Sequence, residues 1–337
     1  MTHEHTDRLH STARAMVAPP RGILAADESP GTMSTRLKGV GVEPSAEARR
    51  DYREMLLTTP GLSKPVSGVI LADETFRQSL SDGRSVPQAC CDVGVLPGIK
   101  VDTGAKPLAF APGETVTEGL DGLRERLAEY ESQGAVFAKW RAALVLSADL
   151  PSERAMLTNA HALGRYAALC QEAGIVPIVE PELLMEGDHG IERCAEATGQ
   201  TLDMVFVSLL AQGVDLEGIV LKPNMVVAGK ACSRQPSVEE VAETTVRVLR
   251  EHVPEAVPGI AFLSGGQPPE VATAHLAAIA AVDTPWQVTF SFGRALVDPA
   301  LRAWAGDPAR WQAGQAALDE RVQANSGVLS LALQAGR

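Results

Sequence analysis

The segment Gly218-Ile-Val-Leu-Lys-Pro-Asn224 is a short apolar run that ends in a lysine. Its apolar residues are continuous instead of alternating, as expected of a parallel strand that is covered on both faces. Seven other runs, rich in Val, Ile and Leu and bounded by Gly or Pro, share this character: 22–27, 66–73, 95–102, 136–141, 176–182, 260–265 and 287–294. The eight runs are our predicted strands.

The stretches between these runs have the periodicity of amphipathic helices. Apolar residues recur every three or four positions over 119–133, 152–172, 186–210, 237–251 and 268–281. Strands that alternate with helices over 337 residues predict an α/β fold, a single (β/α)8 TIM barrel with extra N- and C-terminal helices. An open doubly wound sheet is the alternative, but no G-x-G-x-x-G follows the first run.

The sequence has no linker, low-complexity tract or charge run that would divide it, so we expect one domain over residues 1–337. Within this domain, residues 1–20 are predicted to form a leading helix and residues 308–324 a trailing one. Residues 326–337 have little pattern and are predicted to be a short C-terminal tail.

The charge balance restricts the class of ligand. A net charge of −12, an isoelectric point near 5.1 and the absence of a Lys/Arg block argue against nucleic acid as a partner. An anionic ligand must then be held by local cations, which points to a small phosphate-bearing molecule.

Cysteine usage and the absence of targeting segments predict a cytoplasmic protein. The five cysteines are an odd number without C-x-x-C spacing, as expected of reduced thiols. Residues 1–20 lack the apolar region of a secretion signal, and no stretch of the sequence is apolar over the length of a membrane span.

In such a barrel, side chains at the carboxyl ends of the strands converge on one mouth. The ends of the eight runs are rich in charge: Asp27, Lys100, Asp102, Lys139, Arg141, Glu180, Glu182, Lys222, Ser264 and Arg294. Because partly desolvated ions are costly unless they pair or change protonation, this density predicts an active site.

The chemistry expected there centres on a lysine amine. Lys139 and desolvation would lower the pKa of Lys222 and leave a free amine able to attack a ketone and form a Schiff base. Asp27 is the candidate base for a substrate hydroxyl, and Glu180 is the candidate for dehydrating the carbinolamine. Glu180 and Glu182 lie on one strand face, where repulsion can hold one of them protonated. Alternatively, Glu182 pairs with Lys139 or Lys222.

Two glycine-containing loops follow the last two runs, where barrels of this kind usually bind phosphate. The residues that they supply are Ser264, Gly265, Gly293 and Arg294. Across the mouth, Arg36 and Lys100, with the Thr32 hydroxyl, are candidates for a second phosphate. An ordinary surface charge is the alternative for Arg36.

Seven motifs carry a family resemblance: Gly22-Ile-Leu-Ala-Ala-Asp-Glu-Ser29, Gly98-Ile-Lys-Val-Asp102, Phe137-Ala-Lys-Trp-Arg141, Gly174-Ile-Val-Pro-Ile-Val-Glu-Pro-Glu182, Leu221-Lys-Pro-Asn-Met225, Phe262-Leu-Ser-Gly-Gly-Gln267 and Ser291-Phe-Gly-Arg-Ala-Leu296. The chain closely resembles class I fructose-1,6-bisphosphate aldolase. The resemblance implies that Lys222 is the Schiff-base lysine in a catalytic set with Asp27, Lys139, Glu180 and Glu182. It also implies that the phosphate ligands are Ser264, Gly265, Arg294, Arg36 and Lys100, with Arg141 close by.

The activity that the resemblance implies is reversible cleavage of fructose 1,6-bisphosphate to dihydroxyacetone phosphate and glyceraldehyde 3-phosphate, in glycolysis and gluconeogenesis. Sugar phosphates are then the partners, the assembly is a homotetramer, and neither a metal nor a cofactor is needed. A metal-dependent aldolase would need clustered histidines, and none of His161, His189, His252 and His275 lies at a strand end or in H-E-x-x-H spacing.

The sequence departs from the family pattern in three places. Thr32 replaces a serine beside the phosphate arginine, and Phe292 replaces a tyrosine. The mobile tail of the animal enzymes, whose final tyrosine assists proton transfer, has no counterpart, because the last tyrosine is Tyr166. We therefore expect Glu180 or a water molecule to take over that proton.

Two alternatives to this function remain open from the sequence. The first is a Schiff-base aldolase that prefers another ketose phosphate, such as sedoheptulose 1,7-bisphosphate or fructose 1-phosphate. The second is a scaffold or binding role without catalysis, against which an intact set of charged residues argues.

Overall fold

The computed structural model describes residues 3–336, and among these residues eight parallel strands close into a barrel. The strands, with two further ones outside the barrel, are β1 (Gly22–Ala26), β2 (Val66–Leu71), β3 (Leu96–Lys100), β4 (Gly104–Pro107), β5 (Thr115–Glu118), β6 (Phe137–Leu144), β7 (Val176–Leu183), β8 (Val220–Leu221), β9 (Gly259–Phe262) and β10 (Gln287–Phe292). The barrel closes where β1 pairs in parallel with both β2 and β10. Each predicted run overlaps one barrel strand, so the α/β barrel is confirmed.

Helices surround the barrel and alternate with its strands. They are α1 (His3–Met16), α2 (Pro30–Gly39), α3 (Ala46–Leu57), α4 (Asp73–Phe76), α5 (Val86–Asp92), α6 (Leu123–Ser132), α7 (Glu153–Glu172), α8 (Ile191–Ala211), α9 (Val238–His252), α10 (Pro269–Ala280), α11 (Arg294–Trp304) and α12 (Trp311–Gln334). Short 3₁₀ turns lie at Leu216–Gly218 and Pro308–Arg310. Hydroxyl caps begin several helices; Ser152 and Ser237, for example, accept hydrogen bonds from the first turns of α7 and α9.

The prediction of a tail over residues 326–337 is wrong, because α12 continues to Gln334. Packing against α10 sustains the helix where the local pattern is weak. The side-chain oxygen of Asn325 accepts a hydrogen bond from the Thr273 hydroxyl at 3.0 Å, and Leu329 is buried. Tertiary contacts of this kind override weak local propensity.

The hairpin formed by β4 and β5 was not predicted. Its two antiparallel strands are short and largely exposed, so they lack the continuous apolar run by which the barrel strands were found. The hydroxyl of Thr117 nevertheless donates to the Arg141 carbonyl on β6 at 2.8 Å. The hairpin therefore extends the wall of the barrel at the mouth.

The opposite end of the barrel is closed by α1 and by aromatic rings. Leu9 and Met16 of α1 pack in one buried cluster with Val176 and Val220 near the starts of β7 and β8. Inside the barrel, the ring of Phe137 leaves no room for side chains on its neighbours: a Cβ added at Gly98 would lie 2.1 Å from the ring. No helix among residues 3–336 has both the length and the hydropathy needed to cross a membrane.

Candidate active site

A cavity of about 830 Å³ lies at the mouth of the barrel, at the carboxyl ends of the strands. Every predicted site residue contributes to its lining: Asp27, Thr32, Arg36, Lys100, Lys139, Arg141, Glu180, Glu182, Lys222, Ser264, Gly265, Gly293 and Arg294. Elements distant in sequence thus supply one site, as the parallel barrel topology requires.

Two lysines and two carboxylates form the innermost cluster. Lys139 Nζ on β6 lies 2.6 Å from Asp27 Oδ2 and 3.0 Å from Glu180 Oε2, and Lys222 Nζ lies 3.1 Å from Glu180 Oε1. Both lysines and Glu180 are almost completely buried. Glu180 therefore bridges the two amines, and Asp27 forms a second ion pair with Lys139.

The mutual proximity of these charges determines their protonation. Burial alone would raise the pKa of Asp27, but the positive charges of Lys139 and Lys222 outweigh it and hold that pKa below its ordinary value. Burial would likewise lower the pKa of Lys139, and the charges of Asp27 and Glu180 raise it instead. Asp27 and Lys139 are therefore ionised at neutral pH.

The expectation that Glu180 or Glu182 is held protonated by mutual repulsion is wrong for Glu180. Burial acts to raise the pKa of Glu180, but the cations Lys139, Lys222 and then Arg141 lower it overall. Glu182 pairs with neither lysine: its Oε2 lies 2.5 Å from Nε of Arg141. Charge pairing within the cluster outweighs repulsion between the two carboxylates.

One side of the cavity is built from the loops after β9 and β10. Gly265 and Gly266 adopt φ values of +56° and +80°, which favour glycine, and they turn the backbone beside the buried Ser264. Arg294 begins α11 directly after Gly293. Hydroxyl, backbone and guanidinium groups converge there, which is the donor set that a phosphate requires.

The opposite side carries Lys100 and Arg36. Lys100 Nζ lies 2.5 Å from Oδ1 of Asp102, and the side chain of Arg36 forms ion pairs with Glu28 and Asp298. Arg36 is thus held between two carboxylates at the cavity wall, and it is not the free surface charge that we considered as the alternative. The Thr32 hydroxyl lies 3.1 Å from the Ser29 hydroxyl in the first turn of α2.

Sequence reasoning missed two groups in this wall. Glu28 also accepts a hydrogen bond from buried Arg53 at 2.7 Å, so it joins Arg36 to α3. The Ser291 hydroxyl on β10 is buried at the cavity and has no hydrogen-bond partner among residues 3–336. Both lie within motifs quoted above, and Glu28 adjoins a strand end, which was the available signal.

Comparison with known proteins agrees with this geometry. A family model described as fructose-bisphosphate aldolase class-I matches residues 8–334. The chain belongs to this family. Members of this family are aldolases, which are carbon–carbon lyases of glycolysis, and the family is metal-independent. The family match confirms both the resemblance and the enzyme class that the sequence predicted. Among residues 3–336, no group of three or more His, Cys, Asp or Glu side chains is arranged to hold a metal ion.

Individual relatives match over nearly the whole chain. The probable fructose-bisphosphate aldolase class 1 of Xanthomonas campestris pv. campestris is 53% identical over 321 residues, 95% of this chain and 96% of the relative. Fructose-bisphosphate aldolase C-B of Danio rerio is 47% identical over 328 residues, which cover 96% and 90% of the two chains. The Plasmodium falciparum fructose-bisphosphate aldolase, solved in complex with TRAP and a small-molecule inhibitor, superimposes with a TM-score of 0.96 at 42% identity, covering 98% of this chain and 96% of that one.

Proposed function

We propose that the protein cleaves fructose 1,6-bisphosphate to dihydroxyacetone phosphate and glyceraldehyde 3-phosphate through a Schiff base on Lys222. The observation that carries this proposal is the buried Lys222 amine, 3.1 Å from a carboxylate of Glu180 that the surrounding cations keep ionised. A buried amine with an adjacent proton acceptor is the arrangement that imine formation requires.

In the first step, the Lys222 ammonium passes a proton to Glu180 and the neutral amine adds to the ketone carbon. A proton then moves from the nitrogen to the former carbonyl oxygen, which gives the carbinolamine. Glu180 returns its proton to that hydroxyl, water leaves, and a protonated imine remains on Lys222. Glu180 alternates between base and acid, and its lowered pKa keeps it in the carboxylate form from which the sequence starts.

In the second step, Asp27 removes the proton of the hydroxyl on the carbon that becomes the aldehyde. The bond between that carbon and its neighbour breaks, and its electrons move into the imine to give an enamine. Lys139, 2.6 Å from Asp27, keeps the carboxylate ionised and ready to accept the proton. The first product released is the aldehyde, glyceraldehyde 3-phosphate.

The two ends of the cavity suit the two phosphates of the substrate. Ser264, Gly265 and Arg294 would hold one phosphate through charge-assisted hydrogen bonds. Lys100 and Arg36 would hold the other. Since Arg36 is already engaged with Glu28 and Asp298, it would bind phosphate by exchanging one of these partners.

The enamine must finally receive a proton before the imine is hydrolysed. We assign this proton to Glu180 or to a water molecule next to it. Exchange of solvent isotope into dihydroxyacetone phosphate, compared between the unmodified protein and Glu180→Gln, tests the assignment. Unchanged exchange in the variant would remove Glu180 from this role.

Substrate choice, assembly and location are part of the same proposal. We propose a cytoplasmic homotetramer that acts on the bisphosphate in preference to sedoheptulose 1,7-bisphosphate or fructose 1-phosphate. The ratio of kcat/KM for the three sugars measures the preference, and light scattering measures the assembly.

The decisive experiment is borohydride trapping with dihydroxyacetone phosphate in the presence of EDTA, followed by peptide mass spectrometry. We expect the adduct on Lys222 in the unmodified protein and in Lys64→Met, a variant of an exposed lysine that precedes β2 at the closed end of the barrel. Lys222→Met should be neither trapped nor active. Cleavage of the sugar by protein that is never trapped would overturn the imine mechanism.

A further inference from the structure

A lysine outside the predicted site lies at its edge, beside the phosphate loops. A Cβ added at Gly266 would lie 2.8 Å from Nη2 of Arg294 and 3.3 Å from Nζ of Lys230. The ammonium and the guanidinium therefore meet over the glycine turn that follows Ser264. Lys230 Nζ also forms an ion pair with Oε1 of Glu186 at 2.8 Å.

The Lys230 side chain is not needed to hold its own loop. Backbone hydrogen bonds from Gly229 to His189, from Lys230 to Met185 and from Ala231 to Gly187, each 2.8–2.9 Å long, attach this loop to the one that follows β7. The ion pair with Glu186 is about half exposed, and exposed pairs of this kind contribute little to stability. The Lys230 ammonium therefore contributes little to the stability of the loop.

The charges at this point are not balanced. Lys230 and Arg294 together carry two positive charges near Gly266, and Glu186 is the acid that faces both. The hydrogen bond from Lys230 lowers the pKa of Glu186 most, and the charge of Arg294 lowers it further. One positive charge is left over beside the backbone N–H groups of the glycine turn, which favours a bound anion.

We propose that Lys230 is a further phosphate-binding residue of this aldolase: its ammonium leaves Glu186 and contacts the phosphate held by Ser264, Gly265 and Arg294. This inference rests on the proposed function of that loop. The half-exposed side chain is free to make the exchange, because only its backbone is fixed. The competing Glu186 carboxylate then sets how tightly the phosphate binds.

The test compares Lys230→Met with Lys64→Met, which removes the same charge at the other end of the barrel. We expect Lys230→Met to raise KM for fructose 1,6-bisphosphate and the inhibition constant of inorganic phosphate by about three- to tenfold, the range of one partly exposed charge-assisted hydrogen bond. The value of kcat should stay within about twofold, because the residue is remote from the reacting carbons. Lys230→Arg should retain near-normal binding.

Glu186→Gln should have the opposite effect. It frees Lys230 and removes a negative charge near the phosphate, so KM for fructose 1,6-bisphosphate and the inhibition constant of inorganic phosphate should both fall. Equal constants in Lys230→Met and Lys64→Met, or no change in Glu186→Gln, would overturn the assignment of Lys230. The outcome is separate from that of the proposed function, because failure of borohydride trapping in the unmodified protein would reject the imine mechanism and leave phosphate binding measurable.

Discussion

Lys139→Met is the most informative perturbation of the inner cluster. The ammonium is buried and is shared between Asp27 at 2.6 Å and Glu180 at 3.0 Å. Methionine fills similar space but removes the charge. Asp27 then loses its nearest cation, whereas Glu180 keeps Lys222 at 3.1 Å.

The expected loss of stability follows from this difference between Asp27 and Glu180. Removing one partner of a buried ion pair typically costs about 3–5 kcal/mol, because the other charge is left without compensation. Since Lys222 still serves Glu180, we expect the lower end, about 3 kcal/mol of the free energy of unfolding at pH 8. We also expect kcat to fall about 100- to 10,000-fold, since Asp27, the proposed base of the cleavage step, is no longer held ionised.

The pH dependence provides an internal check. In the unmodified protein the pKa of Asp27 is lowered on folding, so the carboxylate stabilises the protein above its unfolded pKa, and this stability is lost only as the pH falls through the lower folded value. Without Lys139, burial dominates and raises that pKa. The destabilisation should therefore be largest at pH 8 and should shrink toward pH 5.

The assay is urea unfolding followed by tryptophan fluorescence at pH 8 and pH 5, with Lys64→Met as the control of equal charge change. Asp27→Asn combined with Lys139→Met should be more stable than the sum of the single variants predicts, by about 1–3 kcal/mol, but should stay inactive. Additive effects, or a loss below about 1 kcal/mol that does not vary with pH, would refute the electrostatic account of the cluster.

Three further predictions concern stability, each measured by urea unfolding. Arg141→Met removes the ion-pair partner of the buried Glu182 carboxylate, so the free energy of unfolding should fall by about 2 kcal/mol. A variant as stable as the unmodified protein would contradict this. Burial lowers the pKa of His275 from its ordinary value of 6.5. The free energy of unfolding should therefore decline as the pH falls below 6.5, by up to about 1.4 kcal/mol per pH unit. His275→Gln should flatten this decline. Gly98→Ala places a methyl group against the Phe137 ring and should cost about 1–3 kcal/mol or more; a neutral effect would show that the ring can move aside.

The sequence predicted the barrel well because its strands are buried on both faces. Continuous apolar runs such as 66–73 end in charged residues, and topology alone brings those ends together. Asp27, Lys139, Glu180 and Lys222 could thus be named without coordinates, although no pair of them is closer than 40 residues in the chain.

Features that depend on tertiary partners were not predictable. Arg36 pairs with Asp298, 262 residues away, and nothing in the local pattern indicates this contact. The ionisation of Glu180 depends on three cations from other strands, so the local argument from its neighbour Glu182 gave the opposite sign. In α12, contacts such as that of Asn325 with Thr273 sustain a helix whose own sequence is weakly patterned.

The closure of the lower end of the barrel by α1 and the ring of Phe137 constrains the order of events during turnover. Sugar, aldehyde and hydrolytic water all pass through the mouth, above the Lys222 amine. In the proposed mechanism, the water that hydrolyses the imine enters by the mouth through which the aldehyde leaves, so we expect aldehyde release to precede hydrolysis. We therefore expect an ordered release of products, in which the dihydroxyacetone phosphate portion is the last to depart.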